Sequence, residues 1–319
     1  MTYSPQKRIP VGISSCLLGQ SVRYDGAHKR NAYLTDVLGS YFEYLPFCPE
    51  VAIGMGIPRP PIRLMGDPAR PRAVAVHAES LDVTDKLLAY AHSVMTAGAR
   101  ISGYIFKSRS PSCGMERVKV HTGKAKPSGT SAGLYASVVM HALPLMPVEE
   151  EGRLNDPVLR QSFVERVFVY DRWQQLRDDE ISPSKLIAFH TGHKFLLLSH
   201  SEIHYRRLGR LVADAGTRDM QSLSLEYITT LMEGLKRRAT RRRHANVLQH
   251  IMGYLKKSIG PDDKVELAKL IDDYKQGSVP LIVATKTIEH HLRHRPDEYV
   301  GLRIYLNPHP AELGLRNHL

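Results

Sequence analysis

Hydrophobic and polar positions follow two different periods in the first half of the chain. Short apolar runs such as "VGISS" at 11–15 and "YFEYLPF" at 41–47 have the length of buried strands. The stretch "DVTDKLLAYAHSVMTAG" at 82–98 has helical spacing and ends at a glycine. Further strands are predicted at "RAVAVHA" and "ISGYIF", and a further helix at "SAGLYASVVMHA". This alternation predicts a Rossmann-like α/β domain with a mostly parallel sheet.

The pattern changes around three prolines at 144, 147 and 157, after which apolar positions recur with helical period as far as about residue 295. We therefore expect residues 1–147 to form the α/β domain and residues 148–319 to form an all-α domain. Within this half, Ser182 before Pro183 predicts a helix start, and Gly260 with Pro261 predicts a helix stop.

Cysteine usage and hydropathy indicate the compartment. No apolar run approaches the ~18–20 residues of a membrane-spanning helix. The residues before "ISSC" are too few for the apolar part of an export signal. An odd number of cysteines, three in 319 residues, argues against a disulfide framework. We expect a soluble, cytoplasmic protein without a membrane partner.

The charge balance predicts a polyanionic partner. The chain has 44 Lys and Arg against 32 Asp and Glu, a net charge of +12. Residues 235–257 hold eight Lys and Arg and no acid, and on one helix Lys236, Arg237 and Arg241 would share a phosphate-binding surface. The alternative is a solvated helix face, although such a face without acids repels itself. Two histidines at 200 and 204 are four residues apart on one predicted helix, the spacing of a metal pair, but a second metal site is not favoured.

The three cysteines each follow a predicted strand. Cys16 follows "VGISS", Cys48 follows "YFEYLPF", and Cys113 follows "ISGYIFKSRSPS". Because the carboxyl ends of parallel strands lie at one edge of a sheet, we expect the three thiols to converge. The residues alone leave open a metal or cluster site, a single reactive cysteine, and inert buried cysteines. Three thiolates suit zinc with a histidine as fourth ligand, or an iron–sulfur cluster with one open iron.

Three separated motifs carry a resemblance to a known family. The segments "SSCLLG…VRYDG", "FCPEVAIGMGIPRPPIRL" and "FKSRSPSCG", within about residues 8–147, resemble the bacterial thiouracil desulfidase family. The second half resembles the helical YbgA-like domain that is often fused to it. This fused architecture is similar to that of the tRNA 4-thiouridine desulfidases.

The resemblance implies a reaction and a cofactor. Cys16, Cys48 and Cys113 match the three ligands of a 4Fe-4S cluster with one open iron. The implied activity is non-redox, hydrolytic removal of sulfur from 4-thiouridine in tRNA, with release of hydrosulfide. Glu50 matches the acidic residue of the "CPE" motif and would act as general base and acid. Ser112, and after it Ser110, is the predicted catalytic serine.

The remaining site residues are basic or lie in turns. Arg23, Asp25, Lys107 and Arg109 are expected to position the base or its phosphate, and two further arginines, at 59 and 63, to face phosphate. For the "YDG" segment a simple turn is the alternative, for the serines ordinary turn chemistry, and for Glu50 an ion pair with a nearby arginine. Other functions left open are desulfidation of free thiouracil or a thiouridine nucleotide, and RNA binding without catalysis around a structural metal.

Overall fold

A computed structural model describes residues 8–98, 100–123, 127–255, 259–293 and 302–318. The chain divides into two compact units, residues 1–156 and residues 157–319. The boundary expected after residue 147 falls just before a strand that belongs to the first unit. No helix in the described ranges is both long enough and apolar enough to cross a membrane.

The first unit has eight strands and three α-helices in the part of the chain that the structure describes. The strands are β1 (Ile9–Ser14), β2 (Phe42–Phe47), β3 (Ile62–Asp67), β4 (Arg70–Ala75), β5 (Tyr104–Phe106), β6 (Val118–His121), β7 (Pro127–Ser131) and β8 (Val148–Glu150). The helices are α1 (Pro49–Ala52), α2 (Thr84–Thr96) and α3 (Leu134–Ala142).

The central sheet is parallel, as predicted. Its strand order is β2-β1-β5-β8, and every neighbouring pair runs in the same direction. Strand β1 is almost wholly buried because it has a partner on both sides and apolar side chains on both faces. The carboxyl ends of β1, β2 and β5 therefore meet at one edge.

A second, mixed sheet was not predicted from the sequence. Its order is β4-β3-β6-β7, with β3 and β6 parallel and the outer pairs antiparallel. Strand β7 reads "PSGTS", which is the composition of a loop, and it forms because pairing to β6 satisfies its backbone groups. Ile62 and Leu64 on β3 pack with Val118 and Val120 on β6 in one apolar cluster.

The second unit is all-α, as predicted. Its α-helices are α4 (Pro157–Asp178), α5 (Pro183–His200), α6 (Glu202–Ala213), α7 (Met220–Leu235), α8 (Arg241–Leu255), α9 (Pro261–Gln276) and α10 (Leu281–Leu292), and a short helix spans residues 302–306. Ser182 caps α5 as expected, because its side chain accepts a hydrogen bond from the Lys185 N–H. The Gly260–Pro261 pair, expected to stop a helix, instead begins α9.

Two predicted continuous helices are each broken by a hydroxyl cap. Ser201 separates α5 from α6 and accepts from the His204 N–H. His200 and His204 therefore lie on different helices, so the prediction that they share one helix was wrong. Thr240 likewise begins α8, accepting from the Arg243 N–H at 3.3 Å.

The second break changes the predicted basic surface. Lys236 and Arg237 lie in the connection between α7 and α8, whereas Arg241 is the first residue of α8, so they do not share one helix. The Arg237 carbonyl faces His200 Nδ1 at 2.6 Å, and the Arg238 carbonyl accepts from the Arg243 side chain at 3.0 Å. These bonds satisfy carbonyl groups that a continuous helix would have satisfied internally.

Candidate active site

The three cysteines line one pocket at the carboxyl edge of the parallel sheet. Cys16 lies in the 3₁₀ turn Ser15–Leu18 directly after β1, Cys48 precedes α1 directly after β2, and Cys113 lies in the loop after β5. All three are free thiols, and the pocket that they line has a volume of about 350 Å³. The convergence predicted from the strand ends is therefore observed.

The loop that carries Cys113 is fixed by the start of α3. The Leu134 N–H donates to the Pro111 carbonyl at 3.1 Å, and the Ala136 N–H donates to the Ser112 carbonyl at 3.1 Å. The loop thus supplies acceptors for helix N–H groups that have no partner inside the helix. A methyl group on Gly133 would lie 2.6 Å from the Ser112 carbonyl, so only glycine allows this approach.

Burial keeps the thiols protonated in the absence of a cation. It raises the pKa of Cys16 to about 11 and that of Cys113 to about 12, and it also raises the pKa of Cys48. Negative charge on Cys48 would raise the pKa of either other cysteine further. Lys107 lowers the pKa of Cys16, but desolvation outweighs its effect. A single reactive thiolate is thus disfavoured, whereas metal cations would compensate three thiolates.

The donor set fits a cluster better than a single ion. Within the described ranges, no three His, Cys, Asp or Glu side chains form a group suited to one metal ion. A structural zinc site requires such close convergence. In an iron–sulfur cluster the cysteines bind different irons, so thiols spaced around one pocket suit it.

A chain of hydrogen bonds joins Glu50 to the serines. The buried Ser112 hydroxyl donates to Glu50 Oε1 at 2.6 Å. Because that hydroxyl has one proton, Ser110 is the donor in the 3.0 Å contact between the two serines. Ser110 Oγ in turn accepts from the Cys113 N–H at 3.1 Å. The predicted acid–base residues are thus linked to each other and to the backbone of a cysteine.

Arg59, which was expected to face phosphate, instead completes this network. Its side chain is 3% exposed, and both Nε and Nη2 donate to Glu50 Oε2, at 2.9 and 2.8 Å. Arg59 therefore does not face phosphate. No local pattern could have revealed the pair, because the loop between residues 50 and 59 must fold back to form it. Glu50 pairs with an arginine, as the alternative expected, and also lines the pocket.

The predicted substrate-binding residues of the first unit divide into two groups. Arg23, Lys107 and Arg109 line the pocket. Lys107 also forms an ion pair with Glu151, which holds its ammonium group at the pocket wall. Asp25 does not line the pocket. Its carboxylate accepts from the Ala27 N–H at 3.1 Å, which is the simple turn given as the alternative.

Several lining residues were not predicted. Tyr24, with 42% of its surface exposed, lies beside the pocket with the Arg23 guanidinium 5.5 Å from its ring centre. Ser14 accepts from the Lys107 N–H at 2.9 Å, which joins the end of β1 to the residue after β5. The serine at the end of "VGIS" could have been noticed as a polar residue at a buried strand end.

The other three predicted substrate-binding residues, Lys236, Arg237 and Arg241, lie in the second unit. All three are exposed. The Arg241 guanidinium lies against Gly277, where a methyl group would be 2.6 Å from Nη1.

Comparison with known proteins adds family relationships for both units. Residues 11–151 match the model of the 2-thiouracil desulfurase family, and residues 194–310 match a family described as a protein of unknown function, DUF1722. YbbK of Bacillus subtilis strain 168, an uncharacterized protein, is 31% identical over 45% of this chain and 97% of its own length. YbgA of Escherichia coli K12, also uncharacterized, is 29% identical over 48% of this chain and 90% of its own length.

One solved structure is also similar in sequence. It is described as the [4Fe-4S]-dependent thiouracil desulfidase TudS, and it is 32% identical over 49% of this chain and 99% of that chain, with a TM-score of 0.37. Together with the match over residues 11–151, the identity to YbbK over nearly all of its length assigns the family. The chain belongs to the 2-thiouracil desulfurase family and carries a DUF1722 domain in its second half.

Proposed function

We propose that this protein is an iron–sulfur-dependent hydrolytic desulfidase that converts 4-thiouridine in tRNA to uridine. One observation carries the proposal: three free thiols and the hydrogen-bonded Glu50–Ser112–Ser110 chain line the same pocket. The family assignment supports the reaction class. The net charge of +12 supports a polyanionic substrate such as tRNA.

Cys16, Cys48 and Cys113 would hold a 4Fe-4S cluster with one iron left open. When bound, such a cluster supplies a thiophilic Lewis acid toward the sulfur of a C=S group. Because the thiols are protonated by burial, loading the cluster releases protons from them.

In this proposal Glu50 acts on water. Arg59 and Ser112 both donate to its carboxylate oxygens, which supports a role as proton acceptor. In the proposed reaction Glu50 takes a proton from water as the water oxygen bonds to C4 of the pyrimidine. The C–S bond then breaks as Glu50 gives that proton to sulfur, which leaves as hydrosulfide, and the remaining hydroxyl proton returns to Glu50 as C4 becomes a carbonyl, so no electrons are gained or lost. Ser112 and Ser110 provide a hydrogen-bonded path along which the proton can move toward the leaving sulfur.

The thiol-lined pocket has the size of one pyrimidine base, and its lining residues include an aromatic ring and three cationic side chains. Tyr24 provides an exposed aromatic face, and aromatic faces stack on bases regardless of sequence. Arg23, Lys107 and Arg109 supply positive charge at the same pocket. In this proposal Lys236, Arg237 and Arg241 of the second unit bind tRNA phosphates.

Loss of the near-ultraviolet absorbance of 4-thiouridine in bulk bacterial tRNA tests the proposal. Protein reconstituted with iron and sulfide under anaerobic conditions should remove this absorbance and release hydrosulfide. Glu50→Gln should lower the rate by about 100-fold or more while keeping the cluster chromophore, since loss of a general base costs 10²–10⁴. Glu43→Gln, an exposed residue on β2 outside the pocket, is the matched control.

The alternative substrate is a free thiolated base. A pocket of about 350 Å³ also accommodates thiouracil alone, which favours this second candidate. Desulfidation of 4-thiouracil with tRNA left intact would replace the tRNA proposal. Failure on both substrates by cluster-loaded protein would refute the enzymatic proposal and favour a binding protein.

A further inference from the structure

A second, larger pocket adjoins the candidate active site in the first unit. It has a volume of about 850 Å³ and shares Ile62, Ser108, Arg109 and Pro111 with the thiol-lined pocket. The turn 108–111 is therefore a common wall. We name this second pocket the basic trough after its five Lys and Arg lining residues, which are Arg63, Arg109, Arg117, Lys119 and Arg153.

Two of these cations are already neutralised by the protein. Arg63 donates to Glu79 at 2.7 Å. Arg153 donates to Glu149 at 2.6 Å and to Glu116 at 3.2 Å. These two arginines serve the structure of the trough walls, and their charges are not available to a ligand.

Of the other three cations, two have no ion-pair partner among the described residues, and the third, Arg117, shares its partner. Neither Arg109 nor Lys119 forms an ion pair with any residue that the structure describes, and both are exposed. The side chain of Arg117 is 80% exposed and only 3.6 Å from Glu116, which Arg153 also engages. The remaining acid of the lining, Glu150, accepts from the Met115 N–H at 2.8 Å. A trough with two unpaired cations and a third that shares its carboxylate attracts an anion.

The backbone supports a binding role for two of these residues. Arg109 and Arg117 adopt left-handed conformations, with φ of 60° and 57°. Such conformations are uncommon for residues other than glycine, asparagine and aspartate, and they concentrate at ligand sites. Arg109 is the residue at which the basic trough and the thiol-lined pocket meet.

We propose that the basic trough binds the phosphates of nucleotides adjacent to the thiolated uridine of a single-stranded RNA segment. This inference rests on the proposed function and specifies how its substrate is held. A base inserted in the thiol-lined pocket remains attached to its sugar–phosphate chain. That chain must extend out of the pocket over its wall. The trough begins at that wall, is more than twice as large as the smaller pocket, and presents the unpaired Arg109 at the wall itself. A free base would leave the trough empty.

The test compares two substrates and two charge-matched double variants. Arg117→Gln with Lys119→Gln removes two trough cations outside the thiol-lined pocket. Arg70→Gln with Lys86→Gln removes two exposed cations outside both pockets. The substrates are 4-thiouridine as the nucleoside and a five-nucleotide RNA with 4-thiouridine at its centre.

The trough variant should lower kcat/KM for the pentanucleotide by about tenfold or more, and both double variants should leave the nucleoside rate unchanged. An equal loss on the nucleoside, or an unchanged rate on the pentanucleotide, would overturn the inference. An equal loss in the control variant would also overturn it, because the effect would then be one of net charge.

A binding measurement separates this inference from the proposed function. Fluorescence anisotropy of the same pentanucleotide with an unmodified central uridine, titrated between 50 and 200 mM salt, requires no cluster and no turnover. Each single-strand phosphate contact contributes about −0.7 to the slope of log K against log salt, so the trough variant should have a slope smaller by about 1.4. If the trough variant has the wild-type slope, the trough does not bind RNA phosphates, even if wild-type protein desulfidates tRNA. If the trough variant has a smaller slope, the inference is supported even if wild-type protein does not desulfidate tRNA. If polyglutamate displaced the labelled RNA as well as unlabelled RNA does, the trough would be a binding site for acidic protein, and the inference would be overturned.

Discussion

Arg59 controls which oxygen of Glu50 is available for chemistry. Its guanidinium occupies Oε2 through two donors, which leaves Oε1 to Ser112 and the pocket. A planar fork of this kind fixes a carboxylate more firmly than an ammonium group can. The orientation of the proposed base thus depends on the buried guanidinium of Arg59 in the wall of the same pocket.

Arg59→Lys should lower kcat by about 10- to 100-fold, because hydrogen bonds to charged groups contribute about 1.5–3 kcal/mol. The absorbance of the loaded cluster should be unchanged, since the three thiols are untouched. Steady-state kinetics on tRNA and a visible spectrum of the same sample measure the two effects. Arg72→Lys, at an exposed pair with Asp82 on β4, is the control. Loss of the chromophore together with activity would mean that Arg59 maintains the fold of the loop instead.

For single residues, the sequence predicted where the site residues lie in the fold more reliably than which side chains they contact. Cys16, Cys48 and Cys113 were placed correctly because each follows a strand, and a parallel sheet aligns strand ends. The pairing of Glu50 with Arg59 was predicted only as one alternative, with no partner identified. Asp25 was expected to position the substrate, yet its carboxylate completes a turn and pairs with Arg23 at 3.5 Å.

At the scale of elements, the contact between α3 and the Cys113 loop positions the third thiol. Hydrogen bonds and close packing join the first turn of α3 to residues 111–113. The loop is therefore as rigid as the helix that it caps.

Gly133→Ala should displace this loop, because the new methyl group would lie 2.6 Å from Ser112 backbone atoms and 2.9 Å from the Cys113 nitrogen. We expect a loss of stability of roughly 1–3 kcal/mol, as for overpacked sites, and a reduced iron content after reconstitution. Urea unfolding and iron analysis measure these effects. Gly39→Ala is the control, since its nearest neighbours are at 3.5 and 3.8 Å. Wild-type iron content and stability in Gly133→Ala would contradict the positioning role.

Elements were predicted where periodicity dominates and missed where tertiary contacts decide. Ser201 and Thr240 lie within sequences of continuous helical period, and a hydroxyl residue there is compatible with either a helix interior or a cap. Only the contacts around His200, whose ring faces the Arg237 carbonyl and Glu165, select the break. Strand β7 was missed because its five residues contain no large apolar side chain.

For the whole molecule, the second unit carries a strong acid sensitivity. Desolvation lowers the pKa values of four of its histidines from 6.5, to about 3 for the buried His193 and His244 and to about 4 for the half-buried His190 and the buried His309. They stay neutral in the folded unit but take up protons in the unfolded chain below about pH 6.5. Their contribution to stability is therefore complete above that pH and is lost as the pH falls toward the folded values.

The free energy of unfolding of the second unit should fall steeply between pH 6.5 and pH 5, by up to about 1.4 kcal/mol per pH unit for each histidine. The single tryptophan, Trp173 on α4, reports this unit alone, since it is buried against Tyr227 and Phe189. Urea unfolding followed by its fluorescence at several pH values gives the slope. His193→Gln should reduce the slope of the unfolding free energy against pH by the contribution of one proton.

The exposed His250 on α8 provides the control, and His250→Gln should leave the slope as in the wild type. A wild-type slope in His193→Gln would contradict the assignment of this group.

The wide separation of the cysteines has a consequence for the order of assembly. Their spacings of 32 and 65 positions give the unfolded chain no short segment that could chelate a metal. Closing two such long loops around one cofactor costs conformational entropy in the unfolded chain, whereas in the folded state the sheet has already brought the cysteines together. The proposed cluster would therefore bind the folded state almost exclusively and contribute its whole binding energy to the stability of the first unit. During synthesis, the ribosome must release residue 113 before a third ligand exists. The cluster would thus be loaded only after the first unit has folded. If the sheet unfolds, it must refold before the cluster can be loaded again.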